Sequence, residues 1–439
     1  MRIGAVAGAA FAACRYTAGT TSGDGAAIDA LPDGPSSCPQ VFSACSDDGT
    51  TLISCTTIGS ASTSTGCPWG CSTVGSPHCG VLQPTGSAVL PSDFDMTATA
   101  GTFTDATLNT DTGHIALSSG SNVVWPNYRQ SNGVGIFSFD TLSLSGTIKF
   151  NGSSAAAFVA IGAIDVAGFV DVRGNCGDGA GHGAGPGGFD GAQASNNGTG
   201  SGSGGRAVDD SSGGGGGGYG SAGGSGGYNG DNTKAGAAGA AWGSDAIPVL
   251  AGGGGGGAAS DNNGGDGGGG GGALQLISNA TITIEAGAGI NAGGCGGKSP
   301  NGAHGGGGGG AGGTIVFEAP TLMIAGTLAV NGGGGGGGDS PGAKDGSAGM
   351  LGSAAAPGGA GHNASGDEAG GAGAAGSMLV GATGPHGGGH GGGGGGAIGR
   401  IRLNSRAGLT TTTLGGSAVI SPDPTVLGTT STAAAAAVQ

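Results

Sequence analysis

The sequence has little of what an ordinary globular core is made from. Of its 439 residues, 36% are hydrophobic and 4% are aromatic, which excludes a large conventional core. Positive charge is also scarce, with 12 Lys and Arg against 27 Asp and Glu and a net charge of −15. Because such a surface repels phosphate backbones, we expect no nucleic-acid partner. The longest apolar stretch, residues 155–172, alternates at strand period and contains Asp165 and Asp171, so it predicts no transmembrane helix.

The N-terminus has the order of a secretory signal. MRIGAVAGAAFAAC combines Arg2, a short apolar run and small residues before Cys14. Its end resembles a bacterial lipobox in which Phe11 replaces the usual Leu. The resemblance implies that Cys14 is lipidated, so a lipid anchor is the only membrane contact that we expect. Secretion without an anchor and an uncleaved cytosolic tail are the alternatives.

Cysteine spacing favours an exported protein. Six of the nine cysteines fall within a small segment of Ser, Thr, Gly and Pro, which has no core of its own and predicts three disulfides. They are Cys38, Cys45, Cys55, Cys67, Cys71 and Cys79. Zinc is the alternative, but the segment has one histidine, His78, and no paired CxxC. The sequence does not choose the connectivity, and Cys176 and Cys295 remain as a candidate fourth bridge.

Four strand-like stretches follow one pattern. Residues 141–152 (TLSLSGTIKFNG), 163–174 (AIDVAGFVDVRG) and 321–332 (TLMIAGTLAVNG) align without a gap, and 281–294 aligns with an insertion. Each contains two short strands with alternating apolar residues, joined at a small-residue bend. A further strand precedes each pair, at 136–139, 157–161, 274–277 and 314–318, and the final unit shows only 400–404. A repeated three-strand unit with one apolar face predicts an all-β chain, with the coils of a β-solenoid.

The pattern divides the chain into six segments. We predict a signal (1–14), a disordered acidic tether (15–37), a disulfide module (38–80), a β-rich lead-in (81–134), the solenoid (135–405) and a Thr/Ala-rich tail (406–439). Glycine-rich insertions at 175–273, 294–313 and 333–399 interrupt the solenoid, and all of them leave after the third strand of a unit.

Glycine supplies 116 residues, and its runs have a regular length. Five runs contain six glycines and one contains seven, at 213–218, 252–257, 267–272, 305–310, 391–396 and 332–338. Flexible linkers have no reason to fix run length. Six residues of a polyproline-II type helix span about 19 Å, similar to a strand of five or six residues. The runs therefore predict packed glycine helices, with disordered loops as the alternative.

The layout resembles known glycine-rich proteins. The lipobox-like start, the acidic linker, the module C-x6-C-x9-C-x11-C-x3-C-x7-C and the strand repeats with glycine tracts look like uncharacterised surface lipoproteins of myxobacteria and relatives. Residues 135–405 are also similar to polyglycine-II domains of the anaplastic lymphoma kinase ectodomain and of phage tail-fibre tips. The resemblance implies a surface recognition or scaffold role and transfers no site residues.

Candidate chemistry is sparse. An enzyme that acts on polysaccharides needs carboxylates stacked on one face. Here Asp165 aligns with Ser, Thr and Met, and Asp171 aligns with Lys, Asn and Ala, so we predict no catalysis. His386 and His390 lack a third metal ligand, and DNNGGDGGGG at 261–270 lacks the apolar residue of calcium-binding nonapeptides. We therefore expect no cofactor, with calcium as the alternative.

Three aromatic residues of the largest insertion, Tyr219, Tyr228 and Trp242, are candidate binding residues. The alternative is that they pack against the edge of the glycine helices. Together these features predict a non-catalytic structural or adhesive protein of the cell envelope, anchored to the outer membrane or secreted. Its partner would be an unidentified surface molecule or a polysaccharide. A polysaccharide-acting enzyme on a β-helix and a binding module for ice or another ordered surface are the alternatives.

Overall fold

A computed structural model describes residues 37–94, 98–177, 182–193, 195–229, 231–339, 341–362, 368–386, 389–408, 412–425 and 430–439. Within these ranges the chain forms β-strands and two 3-10 helices, Pro91–Phe94 and Asn232–Lys234, and no α-helix. The strands are β1 (Phe42–Cys45), β2 (Thr51–Cys55), β3 (Thr63–Gly66), β4 (Cys71–Ser72), β5 (His78–Cys79), β6 (Gly101–Asn109), β7 (His114–Leu117), β8 (Asn122–Val124), β9 (Tyr128–Ser131), β10 (Val134–Phe139), β11 (Leu142–Asn151), β12 (Ala155–Ala160), β13 (Ile164–Val166), β14 (Phe169–Asp171), β15 (Ala273–Ser278), β16 (Thr281–Ile284), β17 (Gly289–Asn291), β18 (Thr314–Ala319), β19 (Thr321–Ile324), β20 (Thr327–Ala329), β21 (Arg400–Ser405), β22 (Thr412–Leu414), β23 (Val419–Ser421) and β24 (Ser431–Ala435).

Most strands belong to two large sheets. Sheet A has the order β24-β21-β18-β15-β12-β10-β9, and every pair in it is parallel except β10 with β9. Sheet B is built on the long strand β11. The first half of β11 begins the parallel series β13-β16-β19-β22, and its second half begins β14-β17-β20-β23. On its other side β11 pairs with β6, which continues into β7 and β8.

Successive strand sets lie side by side in register. Leu142, Ile164, Ile282 and Leu322 occupy equivalent positions of the aligned segments, and the structure pairs each with the next. Each set places one strand in sheet A and the following strands in sheet B. After each set the chain therefore crosses back from sheet B to sheet A, where the next set begins.

A single apolar layer fills the space between the two sheets. It consists of the inward-facing Leu, Ile, Val and Phe side chains of both, including Phe137, Phe158 and Phe317 from sheet A and Leu144, Ile148 and Ile290 from sheet B. The alternation in the aligned segments thus places one face of sheet B in the core, as period two requires. The nearly all-β fold class predicted from the sequence is confirmed.

Sheet A departs from the expectation of one apolar face, because both of its faces are buried. Strands β10, β12, β15 and β18 are buried at every position. Their outer face packs against Trp69, Leu82, Val89 and Leu250, which come from outside the sheet. Burial on both faces is typical of parallel sheets.

A buried polar cluster fixes the segment around Thr85 to this outer face. Glu318 is 1% exposed and accepts hydrogen bonds from the Thr85 backbone N–H at 3.0 Å and hydroxyl at 2.7 Å. The side-chain amides of Gln275 and Asn404 donate to the same carboxylate at 2.7 and 2.9 Å. These donors satisfy a charge that would otherwise be costly to bury.

The six-cysteine segment forms the predicted disulfides. Cys38 pairs with Cys55, Cys45 with Cys71, and Cys67 with Cys79, with Cα–Cα distances of 5.5, 5.5 and 5.0 Å. Strands β1 to β3 form one small antiparallel sheet, and β4 pairs with β5. The Trp69 indole N–H donates to the Asn279 side chain at 2.9 Å, which attaches the module to the end of β15.

The C-terminal segment 406–439 continues both large sheets. It supplies β22, β23 and β24, which pair with β19, β20 and β21. The last residues then run antiparallel to the start of the lead-in, with reciprocal backbone hydrogen bonds between Val81 and Gln439. Short Thr- and Ala-rich strands have a weak apolar pattern, but they satisfy the backbone groups at the sheet edge.

Candidate functional site

The glycine-rich segments pack side by side, and residues 305–313 lie in their middle. Backbone N–H groups three residues apart donate to the same neighbouring segment. The pairs are Gly306 to Gly391, Gly309 to Gly394 and Gly312 to Ala397; Gly307 to Lys298, Gly310 to Cys295 and Gly313 to Ala292; and Gly308 to Gly257 with Ala311 to Gly254. A three-residue turn therefore aims the donors at three different neighbours.

The carbonyl groups of the same stretch accept from three further segments. Gly214 and Gly217 donate to Gly306 and Gly309; Gly336 and Gly333 donate to Gly307 and Gly310; and Gly265, Gly268 and Gly271 donate to Gly305, Gly308 and Ala311. Three segments receive hydrogen bonds and three others supply them, so six segments surround residues 305–313. All of these backbone groups are paired without any side chain.

Only glycine fits at these positions, because the backbones approach too closely for a Cβ atom. A Cβ built at Gly308 would lie far inside 3.0 Å of the Gly215 carbonyl, and one at Gly310 would meet the Gly269 carbonyl in the same way. Neither residue has a positive φ. Glycine is therefore required here for its missing side chain and not for a left-handed backbone.

Sheets A and B hold the ends of these glycine segments. The stretches 267–272, 305–313 and 391–399 lead directly into β15, β18 and β21, which are neighbours in sheet A. The segments that begin at residues 292 and 332 follow β17 and β20 of sheet B. The order of the strands thus sets the order of the glycine segments. We call residues 183–272, 292–313 and 332–399 the glycine array, within the described ranges.

Tyr219 lies where the array meets sheet A. It is 2% exposed, and its hydroxyl hydrogen-bonds to the Thr314 hydroxyl at 2.7 Å. The Arg400 guanidinium lies 5.4 Å from the ring centroid. Burial raises the pKa of Tyr219, although the Thr314 hydrogen bond and the Arg400 charge oppose this. Tyr219 is therefore an interior residue and not an exposed binding residue.

Trp242 packs against Tyr219, with ring centroids 4.7 Å apart, and its indole N–H donates to the Gly218 carbonyl at 3.2 Å. Its other neighbour is Phe189, at 5.9 Å. Tyr228 lies elsewhere and stacks on His386 with centroids 5.0 Å apart and an interplanar angle of 6°. The structure therefore brings Tyr219 and Trp242 together as a cap on the array, while Tyr228 is half-buried beside a histidine.

Several residues of this cap carried no signal in the sequence. Arg400 forms an ion pair with Asp245, and Thr314 donates its hydroxyl proton to the Ala251 carbonyl at 2.6 Å. Both residues begin strands of sheet A directly after a glycine segment. That position, a polar residue between a glycine run and an apolar strand, is the feature that could have identified them.

Cys176 and Cys295 form a fourth disulfide, with a Cα–Cα distance of 5.0 Å and a sequence separation of 119. It joins the segment after β14 to the segment after β17. Together the four bridges indicate an extracellular or secreted protein, because disulfides persist in oxidising compartments. Cys14 and the rest of the signal-like segment lie outside the described residues.

The carboxylates of sheet B do not form a catalytic pair in the register observed. Asp165 lies between Ser143 and Thr283, and Asp171 lies between Lys149 and Asn291. Asp171 instead accepts two hydrogen bonds from the Arg173 guanidinium, at 2.9 and 2.8 Å. This pairing raises the pKa of Arg173 against the effect of its burial. The outward row that contains Asp165 continues through Thr283 to Met323, so it is not a uniform row of threonines.

Two histidines, His304 and His390, directly precede six-glycine runs, and each lies near an aspartate. His304 is 3.3 Å from Asp261 and His390 is 3.7 Å from Asp339, measured between Nδ1 and a carboxylate oxygen. His386 contacts Tyr228 instead, so the structure does not bring His386 and His390 to a common ligand. Asp261 accepts hydrogen bonds from the N–H groups of Asn263 and Gly264, as in a turn. Across the described residues no group of three His, Cys, Asp or Glu side chains is arranged to hold a metal ion.

None of the helices in the described ranges is long and apolar enough to cross a membrane. Comparison with protein-family models, with curated proteins and with solved structures finds no match for this chain.

Proposed function

We propose that the strand sets form a β-solenoid and that the glycine array is a polyglycine-II lattice that grows from one side of it. The register of the two sheets supports the solenoid, since each set adds one layer of strands to the last. The three-residue spacing of the hydrogen bonds around residues 305–313 supports the lattice, because polyglycine-type helices have three residues per turn and no internal hydrogen bonds.

On this basis the protein is a non-catalytic structural or adhesive component of the cell surface. The observation that carries the proposal is the pairing of every backbone N–H group of residues 305–313 with a carbonyl of a neighbouring segment. Such a lattice has a fixed shape without a side-chain core, and it offers proteases no loose backbone in its interior. A rigid body of this kind, held outside the cell, suits display or contact better than turnover of a substrate.

Amide hydrogen exchange over residues 213–272 tests the lattice. We expect protection comparable to that of β15 and β18, because the interior N–H groups are buried and paired. If this segment exchanges at free-peptide rates while the strands stay protected, the lattice proposal is wrong and only the solenoid proposal stands.

Attachment to the envelope is the second part of the proposal and has its own test. We propose that Cys14 carries the lipid, so labelling of cells with radioactive palmitate should mark the parent chain and not the Cys14→Ala variant. Antibody binding to intact cells then reports whether the chain is exposed. Persistent labelling of the variant, or none in the parent, rejects the anchor but leaves the lattice unaffected.

A further inference from the structure

A polar groove lies between the end of the first strand sets and the start of the glycine array. Two adjoining depressions of about 500 and 320 Å³ share Gly152 and Ala184 in their linings. Their size is that of a ligand pocket. The floor is formed by the ends of β11 and β14, and the far wall by residues 183–190.

The groove exists because the first connection in the solenoid-like part is short. Only residues 152–154 join β11 to β12, whereas later sets carry glycine segments at this corner. At the equivalent outward position of β17, Asn291 donates to the Gly349 carbonyl at 3.0 Å, so the polypeptide covers that site. Lys149 and Asp171 occupy the same row in β11 and β14 and line the groove instead.

The lining carries charges of both signs. Lys149, Arg173 and Asp171 give the first depression one net positive charge, and Asp190 lines the second. Lys149 is exposed, and no carboxylate of the described residues lies within ion-pair distance of it. Arg173 is held by Asp171, so that pair is close to neutral. The chain has only 12 Lys and Arg, and two of them line this groove. Asn151 and Asn175 add amides that both donate and accept hydrogen bonds.

An apolar surface completes the lining. Phe150 is half-buried at the end of β11, and its ring lies 5.9 Å from that of Phe158 in the core. A partly exposed ring that is fixed from behind offers its remaining surface to the C–H groups of a sugar. This combination of a ring, amides and one cation is suited to a polar chain molecule and not to an apolar ligand.

Both ends of the groove are fixed in place. Asp111 accepts hydrogen bonds from the backbone N–H groups of Ser153 and Ser154 at 2.8 and 2.9 Å. Partial burial acts to raise the pKa of Asp111, but these hydrogen bonds outweigh it and lower the pKa below its usual value. On the other side the Cys176–Cys295 disulfide follows Asn175 directly. A groove with fixed walls loses little conformational freedom when it binds a ligand.

We propose that this groove binds a polysaccharide strand that carries carboxylate groups, as in a uronic-acid polymer. Lys149 pairs with a carboxylate of the sugar, Asn151 and Asn175 hydrogen-bond to its hydroxyls, and the ring of Phe150 contacts its apolar face. The inference rests on the proposed surface role, for which it supplies the class of partner.

The test uses the purified full chain with oligogalacturonate and with the methyl-esterified form of the same oligosaccharide, by isothermal titration calorimetry. The methyl ester replaces each charged carboxylate by a neutral group that is larger by one methyl. We expect the charged form to bind at least about tenfold more tightly at physiological ionic strength, where the overall negative charge of the protein is screened, since a hydrogen bond to a charged group is worth that factor. Equal binding of the two forms, or no binding of either, overturns the proposal.

Variants locate the site. Lys149→Met should weaken binding of oligogalacturonate about tenfold, whereas Lys149→Arg should retain it. Lys234→Met removes one positive charge from the 3-10 helix Asn232–Lys234, which does not line the groove, and should leave binding unchanged. Equal losses for Lys149→Met and Lys234→Met would mean that net charge and not the groove attracts the polymer, which also overturns the proposal.

Folding of each variant is checked by thermal melting, and we expect no shift because Lys149 is exposed. If Lys149→Met does not fold, Lys149→Gln takes its place. The two proposals can be rejected independently. Amide exchange over residues 213–272 tests the lattice, and calorimetry tests binding in the groove.

Discussion

Sheets A and B and the glycine array are both held by backbone hydrogen bonds, but they differ in what occupies the space between neighbouring segments. Between the sheets, buried side chains such as Leu276 and Phe317 fill a continuous apolar core. In the array nothing lies between the segments, and carbonyls approach where a Cβ would stand. One region therefore gains stability from side-chain burial, and the other has no side chains in the contacts between its glycine runs.

This difference makes the two regions unequal in stability. A net hydrogen bond contributes about 1 kcal/mol, which is no more than the conformational entropy that each ordered residue loses. Burial of a large apolar side chain adds about 1.5–3 kcal/mol, and the array has almost none of these. We therefore expect the array to depend on the sheets, whose strands hold the ends of its segments, while the sheets depend little on the array.

The largest effect should come from a cavity in the core. Leu276→Ala removes a fully buried side chain from β15 and should cost about 2–5 kcal/mol in the free energy of unfolding. Amide exchange should rise in the sheets and in the array together, because the array loses its support. Met323→Ala, at an outward position that is 47% exposed, is the control. If amide protection falls in the sheets while the array is unchanged, the array does not depend on the sheets for its stability and the expectation is wrong.

Removal of the fourth disulfide should be felt mainly by the array. The variant Cys176→Ser with Cys295→Ser opens a bridge across a separation of 119 residues, and we expect a loss of about 2–4 kcal/mol by denaturant titration. Exchange should increase in residues 183–193 before it does in β15. Equal acceleration in both places would show that the bridge stabilises the sheets as well.

A single methyl group in the array should have a smaller but more local effect. Gly308→Ala places a Cβ against the Gly215 carbonyl and should cost about 1–3 kcal/mol, as overpacking does. Exchange should rise at residues 213–218 and 305–310 while the strands stay protected. Gly416→Ala, where a Cβ meets nothing within 4 Å, is the matched control and should be neutral or slightly stabilising. An unperturbed Gly308→Ala would contradict the close packing.

The smallest effect concerns the cap between the two regions and appears at alkaline pH. Burial raises the pKa of Tyr219 above its ordinary value of 10.0. The contribution of the Tyr219 hydroxyl to the free energy of unfolding is therefore fully present below pH 10. It is lost as the pH rises through the raised pKa of the folded state. Tyr219→Phe lacks the ionising group, so its melting temperature should fall less above pH 10. At neutral pH the Tyr219→Phe variant should have a free energy of unfolding about 1 kcal/mol lower, because the hydrogen bond to Thr314 is missing. A parallel alkaline decline in both proteins would show that Tyr219 does not limit stability there.

The sheets were largely predictable from the sequence, because side chains record the register. The alternation around Leu142, Ile164, Ile282 and Leu322 marks the strands and aligns them, and the structure pairs these residues. The segment 406–439 gave no such signal, since Thr412 and Ala433 resemble a polar tail when read alone. Those strands form because an open sheet edge is already present.

The packing of the glycine segments was predictable only in outline. Equal run lengths indicated packed glycine helices, but a run of glycines has no side chain that could specify its neighbours. That Gly305–Gly310 lies beside residues 267–272 and 391–396 follows from the order of β15, β18 and β21, which the glycines do not encode. Contacts between distant segments likewise determine the disulfide partners, the burial of Tyr219 and the packing of Trp69 and Leu82 on the outer face of sheet A.

The central position of residues 305–313 also constrains the time at which the array can form. Four of the six surrounding segments precede this stretch in the chain, but two of them, at 332–338 and 391–397, follow it. While the chain emerges from a ribosome or a translocation channel, the N–H groups of Gly306 and Gly309 have no partner until Gly391 and Gly394 have appeared. The hydrogen bonding of residues 305–313 is therefore completed only after residues 391–397 have emerged. Glycine segments arranged in this way cannot complete their hydrogen bonds one after another as they are made.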